Sequence, residues 1–156
     1  MMRNGKPLIC LACSAGGHLR ELQLAIGNLA DLYPCYWLTL RTPATAAFMA
    51  DKEHVFLTNF QPTKWWTLFA NAVQALGWVL RKRPDVIVTT GAGVVVPTVY
   101  FAKKLLGTKI IFINSAADVT HASRTPVWIK KHADLFLVQW EEMKQVFPDA
   151  VCCGVL

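Results

Sequence analysis

Charge is scarce in this chain. Only 17% of its 156 residues are Asp, Glu, Lys or Arg, against an apolar share of 54%. That balance excludes a disordered chain and leaves apolar surface over for a partner or a membrane. Acidic residues are the scarcer sign, 10 against 16 basic, and the net charge of +6 points to something anionic, such as a phosphate-bearing substrate or a lipid headgroup surface. Lys/Arg runs interleaved with aromatics are missing, as are nucleic-acid-binding motifs, so nucleic acid is not an expected partner. Long apolar runs are missing too. The stretch Leu8 to Ala12, after a short polar start, is half the length of a signal h-region, and Gln61 to Arg83 is interrupted by Thr67, Asn71 and Gln74. The expectation is a cytoplasmic protein. With no repeat, linker or low-complexity tract, residues 1–156 read as one domain.

Cysteine is present but in no framework. Cys10 and Cys13 have C-x-x-C spacing, and Cys152 and Cys153 are adjacent, which invites a zinc or redox reading. On a strand, residues three apart and adjacent residues face opposite sides, so these are expected to be small buried side chains and no metal is expected.

What is there is an alternation of apolar, β-branched runs with helical stretches. The strand candidates are Leu8 to Ala12, Tyr36 to Leu40, His54 to Leu57, Asp85 to Thr90, Lys109 to Asn114, Leu135 to Gln139 and Ala150 to Val155. The helix candidates between them are Leu19 to Leu29, Thr63 to Arg83, Val96 to Leu106, Val127 to Lys131 and Glu141 to Val146. This order predicts a single Rossmann-like α/β domain with a mostly parallel sheet of about seven strands. Arg41 to Lys52 is the least patterned stretch and reads as a mobile loop.

In such a sheet ligands bind beyond the carboxyl ends of the strands. Three loops there carry candidate chemistry. Ser14, Ala15, Gly16, Gly17 and His18 follow the first strand and open the first helix. The glycines let a ligand approach the backbone, and the helix N-terminus suits a phosphate or a developing negative charge. His18 on the first turn is the candidate general base, and Glu21 either completes a capping arrangement or orients its ring. The same glycines also make a plain strand-to-helix turn. The full G-x-G-x-x-G spacing is missing, and no acidic residue ends the second strand near Leu40, which argues against a dinucleotide cofactor. The second loop, Thr90, Gly91, Ala92 and Gly93, leads into a helix with Pro97 in its first turn and reads as a second anion site or as a structural turn. In the third, Asn114 and Ser115 stand at a strand end, where small polar residues either bind a sugar or cap the turn.

On a helical wheel of Gln61 to Arg83, Trp65, Leu68, Phe69, Ala72, Val73, Leu76, Val79 and Leu80 share one side, which is expected to cover the sheet. Trp78 falls among Thr67, Asn71, Gln74 and Lys82 on the polar side, with Trp66 at its edge. Trp65, Trp66, Trp78 and Lys82 are therefore the candidate contacts to an anionic membrane or a protein partner.

Several segments together resemble a known family: Ser14 to Leu19 with Glu21 and Leu22, Pro84 to Gly93, Ile111 to Ile113, Ala133 to Glu142 and Gly154 to Leu156. The chain is similar to the smaller, membrane-recruiting subunits of the eukaryotic UDP-GlcNAc transferase that adds the second sugar to dolichol-linked oligosaccharide. It also resembles PssD-type exopolysaccharide subunits and, more distantly, the N-terminal domain of MurG. The resemblance implies the acceptor-side, N-terminal half of a GT-B fold, working with a separate donor-binding subunit. The transfer would move sugar from a UDP-sugar to a lipid-diphosphate-linked acceptor, with inversion, without metal or cofactor, and peripherally on the inner face of the plasma membrane. His18 would be the base, the Gly16–Gly17 and Gly91–Gly93 loops would face phosphates, and the chain would be inactive alone. The other reading is a non-catalytic scaffold that recruits and activates a catalytic partner. Two departures stand out: Asn114 replaces the Glu of many relatives and Asp118 stands where they carry an Arg, so no carboxylate role carries over to position 114. An N-terminal transmembrane helix like the eukaryotic one is also not in this sequence, so membrane contact falls to the tryptophan helix, the partner or a further interaction that the sequence does not display.

Overall fold

The computed structural model describes residues 5–59, 61 and 63–156. Seven parallel strands form one sheet in the order β3-β2-β1-β4-β5-β6-β7, with β1 Ile9–Ala12, β2 Cys35–Leu40, β3 His54–Leu57, β4 Val86–Thr89, β5 Lys109–Ile113, β6 Leu135–Val138 and β7 Val151–Cys152. Order reverses between β1 and β4, the switch point at which doubly wound sheets open a crevice. The helices are α1 Gly17–Ile26, α2 Leu29–Leu32, α3 Pro43–Phe48, α4 Trp65–Lys82, α5 Val96–Phe101 and α6 Arg124–Ile129. A π-helical segment, Ala102–Leu106, continues α5, and a 3-10 turn occupies Glu141–Gln145 where an α-helix was expected.

Strand alternation divides the core into two layers. Cys10, Leu38, Ile110 and Phe112 face α4, α5 and α6, whereas Leu11, Cys13, Trp37 and Ile113 face α1 and α3. Cys10 and Cys13 thus lie on opposite faces, and burial pushes each thiol up to about 12, the wrong direction for a redox or metal-binding thiolate. The expected burial of the C-terminal pair does not hold, because the last strand is only two residues long and Cys153 is exposed beyond it.

Two further expectations are overturned. The stretch 41–52 holds α3, which has little apolar periodicity but a strong start. Thr42 caps it with a reciprocal capping box to Thr45, and Pro43 has its fixed φ in the first turn.

The larger correction concerns α4, which is rotated about its axis from the setting its wheel predicts, although Val79, expected inside, is buried. Thr67, Asn71, Ala75 and Val79 are its buried residues, while Trp65, Phe69, Val73 and Leu80 are 79%, 67%, 54% and 52% exposed. The polar side is needed inside because β3 ends beneath it. Asn71 Nδ2 donates to the Thr58 carbonyl at 2.9 Å, and the Thr58 N–H donates to Gln74 Oε1 at 2.8 Å, so the helix satisfies both main-chain groups just past the strand. Ala75 is fully buried on the same side. Trp78 therefore packs half-buried against the core, with the Arg81 guanidinium 5.6 Å from its ring centre. Lys82 is ion-paired to Glu53 and lies over Tyr36, so neither Trp78 nor Lys82 is on the side of the helix turned to solvent. Trp65 and Trp66 are.

Candidate functional site

Helix α1 starts where the chain turns back from β1. Gly16 at its N-cap has φ 75° and ψ −134°, a conformation that a residue with a Cβ adopts only with strain, and no side chain caps the helix end. The first-turn N–H groups therefore point outward with the positive end of the helix, as an anion site requires. The capping role considered for Glu21 is absent. Leu19 and Leu22 are buried against the sheet, which sets His18 and Glu21 on the flank nearest β4 and β5. The Thr90 hydroxyl donates to the His18 carbonyl at 2.8 Å, joining the first loop to the second.

The second loop is held in an unusual backbone shape. The Gly91 N–H donates to Thr89 Oγ1 at 2.9 Å, and both Gly91 and Ala92 have positive φ, 94° and 83°. A Cβ on Gly91 would lie 3.1 Å from Phe112 Cε2, so any other residue would have to push that ring aside on a backbone already at positive φ. Positive φ at a non-glycine such as Ala92 costs about 1–3 kcal/mol and clusters at functional sites.

The third loop is tied to the first. Ser115 Oγ and the Ala116 N–H both donate to Glu21 Oε1, at 2.9 and 2.8 Å. Trp140 Nε1 donates to the Ala116 carbonyl at 2.8 Å, and Ser123 donates to Asp118 Oδ2 through its N–H and its hydroxyl. Asn114 is fully buried with its main chain occupied: its N–H donates to the Leu137 carbonyl at 2.8 Å and its carbonyl accepts from Gln139 Nε2 at 2.9 Å. Its side-chain Oδ1 and Nδ2 have no partner. An amide group buried in this state is costly unless something arrives to meet it.

All three loops meet at one cavity of about 50 Å³, lined by His18, Thr90, Gly91, Ala92, Asn114 and Ser115 together with Asp118, Ser123, Thr125 and Pro126. Six of the residues expected at the site are thus brought together. Ser14, Ala15, Gly16, Gly17 and Gly93 stand on the same loops without lining the cavity. Trp65 and Trp66 are on α4, outside it. Sequence reasoning missed Ser123, Thr125 and Pro126, which α6 and its approach bring in from a stretch with no glycine loop or charge cluster to signal it. A wider recess of about 520 Å³ opens between α1 and α3, but its lining includes Gly27, Cys35 and Glu53, at the amino ends of β2 and β3. It is therefore at the opposite edge of the sheet from the switch-point crevice, and the smaller cavity is the better candidate.

Among the described residues no helix is long and apolar enough to cross a membrane.

Comparison with known proteins agrees with this architecture. MurG of Acinetobacter baumannii superposes with a TM-score of 0.69 at 13% identity, over 87% of this chain and 43% of that one, which speaks for the fold: a single α/β domain with a parallel sheet, of the GT-B kind. Mouse UDP-N-acetylglucosamine transferase subunit ALG14 is 33% identical over 176 aligned positions, covering 94% of this chain and 81% of the relative. The Candida albicans subunit of the same name is 40% identical over 83 residues, half of this chain and 38% of that protein. Residues 60–156 match the family described as "Oligosaccharide biosynthesis protein Alg14 like". With residues 60–156 matched, two of the three site loops inside that region and the overall fold in agreement, the chain belongs to the Alg14-like family of oligosaccharide biosynthesis proteins.

Proposed function

We propose that this chain is the acceptor-side subunit of a two-component, inverting glycosyltransferase that moves a sugar from a UDP-sugar to a lipid-diphosphate-linked acceptor in polysaccharide biosynthesis. The observation that carries the reading is the convergence of three strand-end loops on a cavity where His18 stands beside the unpartnered, fully buried Asn114 amide. Asn114 offers a donor and an acceptor together, which suits the hydroxyl and amide groups of a sugar. At about 50 Å³ the cavity is far below the several hundred Å³ of a complete small-molecule site. A second surface must complete it, and the relatives named as transferase subunits supply the precedent.

In this reading the acceptor sits over the three loops, with its diphosphate toward the Gly16–Gly17 helix end and Gly91–Gly93. The donor subunit presents the UDP-sugar across the crevice. His18 takes the proton from the acceptor hydroxyl as that oxygen bonds to the anomeric carbon. The carbon–oxygen bond to UDP breaks, and the diphosphate leaves with the electron pair. This chemistry draws on no metal or cofactor. Exposed Trp65, Trp66, Phe69 and Val73 on α4, with exposed Lys64, Arg81 and Arg83 at the helix ends, suit the interface of an anionic membrane and would bring the site to its lipid-linked substrate. Because α4 starts at the carboxyl edge of the sheet, Trp65 and Trp66 lie at the same edge as the cavity.

The test is His18→Ala in the complex with its partner. Loss of at least ~100-fold in turnover with assembly intact is the expected result for removal of a general base. Near-normal turnover would overturn the base assignment and favour a non-catalytic scaffold that recruits and activates the partner.

A further inference from the structure

Two enclosed polar atoms in the site face each other unpaired. His18 Nδ1 and Glu21 Oε2 are both buried without a hydrogen-bond partner, 3.9 Å apart. That separation is too long for a hydrogen bond, yet about 1 Å of side-chain rotation closes it. Glu21 is no loose helix-surface carboxylate. Its other oxygen is held by the Ser115 hydroxyl and the Ala116 N–H, from a loop more than 90 residues further along the chain, and its side chain is only 16% exposed. The His18 carbonyl is in turn held by Thr90. The Glu21 carboxylate and the His18 main chain are therefore both held by the strand-end loops, and the free carboxylate oxygen lies 3.9 Å from Nδ1.

We infer that Glu21 is the positioning residue of His18: its carboxylate accepts the Nδ1 proton and leaves the Nε2 lone pair for the substrate side. The inference rests on the base role proposed for His18. A carboxylate has no proton to donate at neutral pH, so a ring paired with it must carry its proton on Nδ1. With Nδ1 enclosed, Nε2 is the nitrogen left to exchange protons with a ligand. The link from Glu21 to Ser115 also means that the loop holding Asn114 sets the orientation of the base. A misplaced loop would release both together.

Glu21→Gln separates this role from packing. The glutamine oxygen can keep the bonds from Ser115 and Ala116, while its NH₂ now faces Nδ1 and requires that nitrogen to accept, which moves the ring proton to Nε2. A substitution of this kind at a catalytic triad costs ~10⁴ in turnover through the wrong tautomer. The measurement is 15N-edited NMR of the imidazoles in the intact chain at a pH where the rings are neutral, with His18 assigned by its loss in His18→Ala. The expected result is Nδ1–H in the wild type and Nε2–H in Glu21→Gln. A wild-type ring protonated on Nε2, or the same tautomer in both proteins, would overturn the inference. The wild-type spectrum alone can do so even if the variant fails to fold. Turnover of the assembled complex with Glu21→Gln should fall by ~10² to ~10⁴. An exchanged tautomer with full turnover would leave the positioning in place and refute the base role, so the two failures are distinguishable.

Discussion

The Thr90 hydroxyl donates to the main-chain carbonyl of His18 at 2.8 Å, bridging 72 residues of sequence. This bond pins the first turn of α1 to the end of β4 and so places the candidate base. Thr90→Val keeps the shape and removes the donor. It should cost about 1 kcal/mol of stability, visible as a melting temperature lower by about 2–4 °C. Turnover of the assembled complex should fall about 10-fold, as small displacements of a catalytic group do.

Gly91→Ala tests the shape of the second loop. The new Cβ meets Phe112 at 3.1 Å on a backbone with φ 94°, so a loss of about 1–3 kcal/mol is expected in chemical denaturation. Gly17→Ala is the control. Its φ is not positive and nothing lies within 4 Å of its Cβ position, so stability should stay within about 0.5 kcal/mol.

The rotated setting of α4 makes opposite predictions for its two sides. Asn71→Ala removes the donor to the Thr58 carbonyl and should cost about 1–3 kcal/mol. Trp78→Ser should also destabilise, since its ring packs on the core. Phe69→Ser and Trp65→Ser, on the exposed side, should leave the melting temperature unchanged and weaken flotation with anionic liposomes, more so at high salt. Unchanged flotation with weakened binding of the donor subunit would assign the stripe to the protein partner instead.

Asp134 sets part of the acid stability. Its partial desolvation opposes ionisation, but hydrogen bonds from Lys103, the Ile110 N–H and Lys109 outweigh it and hold the carboxyl at about 2 against the usual 3.8. A carboxyl lowered on folding stabilises above its unfolded pKa, and the contribution disappears as pH falls through the folded one. The group is partly open to solvent, so screening reduces its worth to about 1 kcal/mol. Asp134→Asn should lose that amount in urea melts at pH 7, and the difference from wild type should vanish between pH 4 and pH 2.

The apolar runs at 8–12, 86–89 and 109–113 announced buried parallel strands, because strands covered on both faces need no alternation. Glycine and small polar residues after three of those strands marked the loops, since the chemistry of turns is written locally. Helix α3 was harder to see. Its start depends on a Thr42–Thr45 cap, and its short body has little apolar period to report.

The order of elements, the parallel sheet and the identities of His18, Gly91 and Asn114 as candidates were thus determined by the sequence itself. Only tertiary structure decided which side of α4 turns inward. The wheel counts apolar area, whereas the end of β3 presented the Thr58 N–H and carbonyl, and satisfying them outweighed burying the tryptophan side. Only tertiary structure, too, set Glu21 between His18 and Ser115, because that contact joins segments more than 90 residues apart, beyond the reach of any local pattern.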